Sequence, residues 1–511
     1  MNKRKIIGLG VLLGGISIPS TVTAGSSKVG DNALQRAGDS ISYAVEAQSS
    51  FTSSNSPLWL NANRYGLSSV DGNNGYLRAG IFRHAHNDTQ HKWRLSYGLD
   101  LAVSYNFTNT FTVQQLYADI DYKKVRFSMG SKERPMALKN QKLSSGGQTF
   151  GINARPIPEF RFEMPDYISI TGKSDWVGVK GHFGYGFMTD GKWQEGYVNP
   201  GEKYAKKALY HSKAGYLRIG NEKKFPLVFE GGIEMACQFG GDIYNPIGFE
   251  GVYGKKLEMG HSFKDFFHAI YGGGSDATDE DYENSIGNTV GSWLMSLSYK
   301  GTDWSVRAYY DHYFEDHSQM FWEYGWFDGL VGLEINLPKN RFVSTLVVEH
   351  LKTTDQTGPI YHDHTESIPD QISGADDYYN HNLYQGWQHW GQAIGNPLFH
   401  SPLYKKDGTL NFTGNRFTAH HVGIMGHPTS RLSYRLLYSY MENWGTYDAP
   451  YLDKKYSSSF LGEINYDFNR IGKVNLKGWS LNAAFGFDRG SELGKNTGGQ
   501  ITLRKTGLLI K

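Results

Sequence analysis

From about Ile41 to Ile510 the chain alternates apolar and polar residues in short stretches, and this rhythm restricts it to strands. In Leu95, Tyr97, Leu99, Leu101, Val103 and Tyr105 every second residue is apolar, with Ser96, Gly98, Asp100, Ala102 and Ser104 between them. Successive side chains on a strand point to opposite faces, so such a ribbon has one greasy face and one wet face. The pattern returns in Leu227, Phe229, Ile233, Met235, Cys237 and Phe239 against Glu230, Gly232, Glu234 and Gln238. It returns again in Trp479, Leu481, Ala483, Phe485 and Phe487 against Ser480, Asn482, Gly486 and Asp488. A soluble sandwich also alternates, but rarely for hundreds of residues with acids and amides so often on the inner face. A lipid-facing barrel with a polar lumen does.

The amino terminus says where such a barrel lives. Lys3-Arg4-Lys5 is a basic start, Ile6 to Ile18 an apolar run, and Val22-Thr23-Ala24 offers small residues for cleavage before Gly25. The run is short for a membrane helix, which needs about 20 apolar residues. Residues 1–24 therefore read as a secretory signal, 25–40 as a short periplasmic segment, and 41–511 as a barrel in the outer membrane of a Gram-negative bacterium.

Composition fits this reading. Among 511 residues there are 62 Gly, 34 Tyr, 28 Phe and 12 Trp, an excess that aromatic girdles and crowded strands would use. Mean hydropathy is −0.50, which a barrel tolerates because only alternate residues meet lipid. The net charge of +2 gives no reason to expect a nucleic-acid partner. The single cysteine, Cys237, rules out an intramolecular disulfide framework and reads as packing on an apolar face.

The connections supply a topology. Short turns fall at Asn469 to Val474, His427 to Ser430, Pro338 to Asn340, Lys300 to Asp303, Asn221 to Lys224, Thr171 to Asp175, Lys123-Lys124 and Ala85 to Lys92. Between them lie connections read as long: Arg489 to Gly499, Glu442 to Tyr456, Lys352 to Arg416, Phe314 to Asp328, Gly240 to Val290, Asp190 to Lys213 and Glu133 to Glu159. Short periplasmic turns exchanging with long outer loops mark an outer-membrane barrel. The spacing predicts an all-β, transmembrane antiparallel β-barrel of about 18 strands, with both ends in the periplasm.

The segment Gly146-Gly147-Gln148-Thr149-Phe150-Gly151-Ile152-Asn153-Ala154-Arg155-Pro156-Ile157-Pro158 resembles the capsule assembly Wzi family of outer-membrane proteins. Asp175-Trp176, Gly395-Asn396-Pro397-Leu398 and Ser56-Pro57-Leu58-Trp59-Leu60 support the resemblance. It implies an occluded barrel that holds exported capsular polysaccharide at the cell surface without enzymatic chemistry, with outer-membrane lipid around it and capsule export machinery as a candidate neighbour. The long His- and Tyr-rich stretch from Lys352 to Arg416 departs from the enterobacterial branch, so binding residues are not carried over there.

Candidate polysaccharide contacts follow from side-chain chemistry. Pro156 and Pro158 hold their segment extended, and Arg155 offers a fork of donors suited to the carboxylate of an acidic sugar, or to a lumen acid. Tyr384, Trp387 and Trp390 in the longest loop, and Trp322 and Trp326 in the Phe314 to Asp328 loop, present flat faces. Such rings stack on sugars, fill a plug, or anchor at the membrane interface.

Other motifs fail on chemistry. His362-Asp363-His364 with Glu366 has no second cluster to complete a metal site. Gly172-Lys173-Ser174 has Tyr167 where a phosphate loop needs its first glycine. Lys505-Thr506-Gly507 lacks the partner motifs of penicillin-recognising enzymes. In His420-His421, Asp311-His312 and Asp316-His317 the neighbours point to opposite faces of a strand, so none forms a dyad. No cofactor and no catalytic residue is expected. The alternative to a surface lectin is a porin or saccharide-selective channel, for which a polar lumen serves equally well.

Overall fold

The alternation closes on itself. The computed structural model describes residues 38–85, 88, 90–248, 251–252, 255–260, 262–271, 287–315, 320, 326–361 and 372–510. The signal segment, Trp322 and the His362 to Glu366 cluster lie outside these residues. Eighteen strands form one antiparallel ring. In chain order they are β1 (Ile41–Thr52), β2 (Gly75–Arg83), β3 (Trp93–Tyr105), β4 (Phe111–Tyr122), β5 (Val125–Ser131) and β6 (Glu159–Ser169). Then come β7 (Val177–Phe187), β8 (Leu209–Ile219), β9 (Leu227–Phe239), β10 (Asn288–Lys300), β11 (Ser305–Glu315) and β12 (Gly329–Asn336). The last six are β13 (Thr345–Lys352), β14 (Phe417–Gly426), β15 (Leu432–Gly445), β16 (Pro450–Asp467), β17 (Trp479–Gly490) and β18 (Asn496–Ile510). Each pairs with its neighbour in sequence, and β1 pairs with β18 from Ile41↔Ile510 to Thr52↔Gly498.

The wet and greasy faces fall as the pattern requires. On β3, Asp100 is 1 % exposed inside the ring, whereas Val103 is 55 % exposed on the outer wall. Adjacent residues part company in the same way. His421 turns inward to Ser439 Oγ (2.7 Å) and the Leu143 carbonyl (2.8 Å), while His420 turns outward to His350 (3.3 Å).

One stretch of the outer wall is covered rather than bare. Helix α1 (Phe263–Tyr271) lays Phe266 and Ala269 against Cys237 and Phe239 of β9, which are consequently buried. Phe263 and Phe267 of the same helix remain exposed, as suits a helix lying along a membrane interface.

Two of the expected long loops are short. β15 runs to Gly445 and β16 restarts at Pro450, leaving residues 446–449 as the connection; β17 and β18 are joined by 491–495. Residues 106–110 make a third short outer connection. Strand ends that rise clear of the bilayer have water on the outside, so they lose the apolar alternation that identifies a membrane strand. Leu452 on β16 is fully exposed there. The short periplasmic turns fall where the spacing places them, down to the two residues Lys123-Lys124 between β4 and β5, where Lys123 takes φ 54°.

Candidate functional site

Outer segments fold back into the ring and fill it. Residues 53–74, 132–158, 188–208 and 376–416 contribute to one apolar core shared with inward-facing wall residues such as Tyr313, Val347, Leu437 and Leu461. Tyr379 stacks on Phe399 at 3.9 Å and meets Tyr313 edge-on at 5.4 Å. Short helix α2 (Leu58–Asn61) packs Trp59 against His421 (4.9 Å) and donates its indole N–H to Ser439. The Leu58 N–H donates to Asp488 on β17, a second tie between plug and wall.

Two of the stretches on which the family resemblance rests, residues 146–158 and 395–398, are knotted together here. Gly151 N–H donates to the Ile394 carbonyl (3.0 Å), and Asn153 Nδ2 to that of Ala393 (3.0 Å). Asn396 Nδ2 donates to Ser145 Oγ and to the Gly146 carbonyl, both at 3.2 Å. The glycines are required because the backbones nearly touch: a Cβ on Gly151 would stand 2.4 Å from the Gly395 oxygen. Glu349 of β13 fastens this knot to the wall, accepting from Ser145 N–H (2.7 Å) and Ser144 Oγ (2.6 Å).

The aromatic candidates separate into different roles. Tyr384 and Trp387 are wholly buried; the Tyr384 hydroxyl donates to the Gly240 carbonyl and the Trp387 indole to that of Thr149. Both are packed into the plug, the second of the roles that their chemistry allows. A ring that fills the lumen and one that waits for ligand have the same composition, so periodicity could not separate them. Trp326 lies on the outer wall, stacked on His312 (4.7 Å) and near Trp293 (6.2 Å), in the position of an interfacial anchor.

Trp390 is different. Half-buried on the outer side of the plug, it lies near Trp193 (6.2 Å), which stacks on Tyr197 (5.1 Å). Both belong to helix α3 (Gly191–Tyr197), one turn apart, so they share a face. Trp390 is held by its N–H to Asp190 (2.9 Å) and its indole to Thr189 (3.0 Å). Sequence reasoning missed Trp193 and Tyr197; their i, i+4 spacing was the available signal.

Under the Trp390 ring lies Arg155, its guanidinium 4.3 Å from the ring centroid. Arg155 is 6 % exposed, and its Nε and Nη2 have no hydrogen-bond partner among the described residues. Burial lowers its pKa to about 10, against the opposing pull of Asp190. Burial also holds the His389 imidazole below its ordinary range; its Nδ1 meets the Arg155 carbonyl at 2.8 Å and fixes the backbone there.

Beneath Arg155 the lumen keeps a cavity of about 360 Å³, roofed by Phe150, Ala154 and Ile394. Most of its charges are matched. Arg126 pairs with Asp121 (2.6 Å), Arg134 with Glu159 (3.1 Å), Arg161 with Glu163 (2.9 Å), and Lys132 with Asp119 (2.5 Å). A second cavity of about 680 Å³ shares Tyr65, Lys132 and Glu133 with the first and reaches Tyr43, Thr506 and Gly507, near the periplasmic ends of β1 and β18. Among the described residues no group of three or more His, Cys, Asp or Glu is arranged to hold a metal ion.

No protein-family model matches the chain, and no curated protein matches it. Solved structures do. Wzi of Escherichia coli, described as an outer-membrane carbohydrate-binding β-barrel involved in group 1 capsule assembly, aligns with a TM-score of 0.53 at 11 % identity, over 92 % of this chain and 85 % of that one. Pseudomonas aeruginosa OprD gives 0.44 at 8 % identity, over 93 % and 96 % of the two chains. Acinetobacter baumannii OccAB4 gives 0.44 at 9 %, over 92 % and 98 %. At such identities the likeness is one of fold. Taken with the closed ring, it makes this protein an eighteen-stranded β-barrel of the Gram-negative outer membrane.

Proposed function

We propose that the protein attaches or organises capsular polysaccharide at the cell surface, as a binding protein and not an enzyme. The observation that carries this reading is the Trp390, Trp193 and Tyr197 cluster on the outer side of a lumen filled by its own loops. Flat rings of this kind match the apolar faces of sugars, and their polar edges meet hydroxyls. A filled lumen suits holding a polymer outside better than passing it through. The fold likeness to a carbohydrate-binding capsule assembly barrel agrees with this reading.

In a strain lacking the protein, polysaccharide synthesis and secretion should continue while the polymer moves from the cells to the medium. Trp193→Ala with Trp390→Ala should reproduce part of that shift with the barrel still folded. An unchanged ratio of cell-bound to released polymer in the deletion strain, with synthesis normal, would sink the proposal.

The lumen cavities favour a second reading, a saccharide-selective channel. Large steady currents from the intact protein in planar bilayers would establish that reading in place of the first.

A further inference from the structure

We propose that the cavity beneath the plug is a second binding site, one for a carboxylate-bearing sugar of about one residue that enters from the periplasm. The site lies beneath the aromatic surface cluster and shares only Trp390 with it, and its ligand is tested separately from the surface polymer.

The first support is Arg155. A buried donor left without a partner forfeits its hydration with nothing in return, the more so when charged, so such groups in folded proteins usually have one. Here Nε and Nη2 both lack a partner among the described residues, in a side chain 6 % exposed that lines the cavity. These two nitrogens form one edge of the guanidinium fork, the edge that a carboxylate bridges side-on with two parallel hydrogen bonds. Trp390 against the flat face of the fork fixes its plane.

A second cation points to the same ligand. Lys180, on the inner face of β7, lines the cavity with its Nζ near the rings of Tyr167 (4.6 Å) and Tyr216 (5.0 Å). Among the described residues no carboxylate stands within ion-pair distance of it. The other cations that line the cavity, Arg126, Lys132, Arg134 and Arg161, are paired with acids. Arg155 and Lys180 thus line the cavity without a direct ion pair among the described residues, while Asp190 acts on Arg155, and Glu230, Glu234 and Asp166 on Lys180, only through space.

Size and access set the rest. About 360 Å³ is at the small end for a ligand pocket, which suits a monosaccharide better than a chain. Tyr65, Tyr210 and Tyr216 in the lining offer rings and hydroxyls to a sugar body. Above, the plug closes the cavity, while below, the larger cavity leads toward the ends of β1 and β18.

The test is calorimetric titration of the full-length protein in detergent micelles with glucuronate, glucose, acetate and inorganic sulfate. Glucuronate should bind at least tenfold more tightly than the other three. Arg155→Gln should weaken it tenfold or more, and Lys180→Gln several-fold, each with the heat-modifiable gel mobility of the folded barrel retained. Should Arg155→Gln fail to fold, Lys180→Gln alone decides, since its loss leaves the plug untouched. A bulky maleimide on Thr506→Cys, in a Cys237→Ser background, should slow glucuronate association by narrowing the periplasmic entrance. Equal binding of sulfate or acetate, indifference to the tested substitutions, or association unchanged by the maleimide would each overturn the proposal.

Discussion

Lys139 in the plug and Asp311 on β11 form an ion pair of 3.0 Å in which each side chain is only 1 % exposed. A pair so buried contributes little net stability when intact, but removing one partner strands the other charge, at a cost of about 3–5 kcal/mol. Lys139→Met should therefore loosen the plug while the ring survives. Single-channel recording should show intermittent opening that the parent protein lacks. Lys139→Met combined with Asp311→Leu should return the quiet baseline.

The knot between residues 146–153 and 393–396 gives a prediction about size alone. A Cβ on Gly395 would stand 2.0 Å from the Gln148 carbonyl oxygen and from the Tyr379 hydroxyl. Gly395→Ala adds one methyl group yet should destabilise the plug by about 1–3 kcal/mol, the ordinary range for overpacking. Limited proteolysis should cut residues 376–416 faster in this variant, with barrel mobility on gels unchanged.

Trp387 and Trp390 stand three residues apart and should behave oppositely. Trp387→Ala empties a fully buried site and should cost about 3–5 kcal/mol, read as a lower temperature for loss of heat-modifiable mobility. Trp390→Ala should barely move that temperature and should instead reduce retained polysaccharide, each stacking contact being worth about 0.5–1.5 kcal/mol. A polymer bound at several points masks single losses, so the Trp193→Ala, Trp390→Ala pair is the informative variant.

Acid should release one clamp of the plug. Burial alone would raise the Glu492 carboxyl, but the His400 ring 3.7 Å away and the Lys455 and Lys405 charges outweigh it and hold the pKa below the usual 4.5. A carboxyl depressed in the folded state adds stability that is complete above its unfolded pKa and fades as pH falls through its folded one. Protection of residues 376–416 from proteolysis should be flat from pH 7 to about 5 and should drop below about 4.5. In Glu492→Gln the drop attributable to this group should disappear.

Wall and filling differed in legibility for a physical reason. Asp100 and Val103 reveal their faces because lipid and lumen impose opposite chemistry on alternate residues. That rule stops at the rim, where Leu452 stands in water on strand β16, and there two of the expected long loops are short hairpins. It stops again inside the plug. Nothing in the neighbourhood of Tyr384, Trp387 and Trp390 says which rings are walled in, since burial there depends on segments hundreds of residues away. Lys180 was accessible to the alternation argument, as an inward position on β7, and was overlooked because it belongs to no motif. Arg155 was identified by its donors, but that two of them lack a hydrogen-bond partner among the described residues could be seen only in three dimensions.

The seam between β1 and β18 governs how the molecule can come into being. These strands lie at opposite ends of the described sequence, and beside their seam the Ser54 hydroxyl reaches Asn496 Oδ1 (2.6 Å) across a separation of 442 residues. Until both are in place the sheet has two bare edges, and hydrocarbon supplies nothing to satisfy them. Closure is therefore a single late event for this chain. A half-built sheet has no resting place in the bilayer, so the unfinished polypeptide must be sheltered in the periplasm until its final strand arrives.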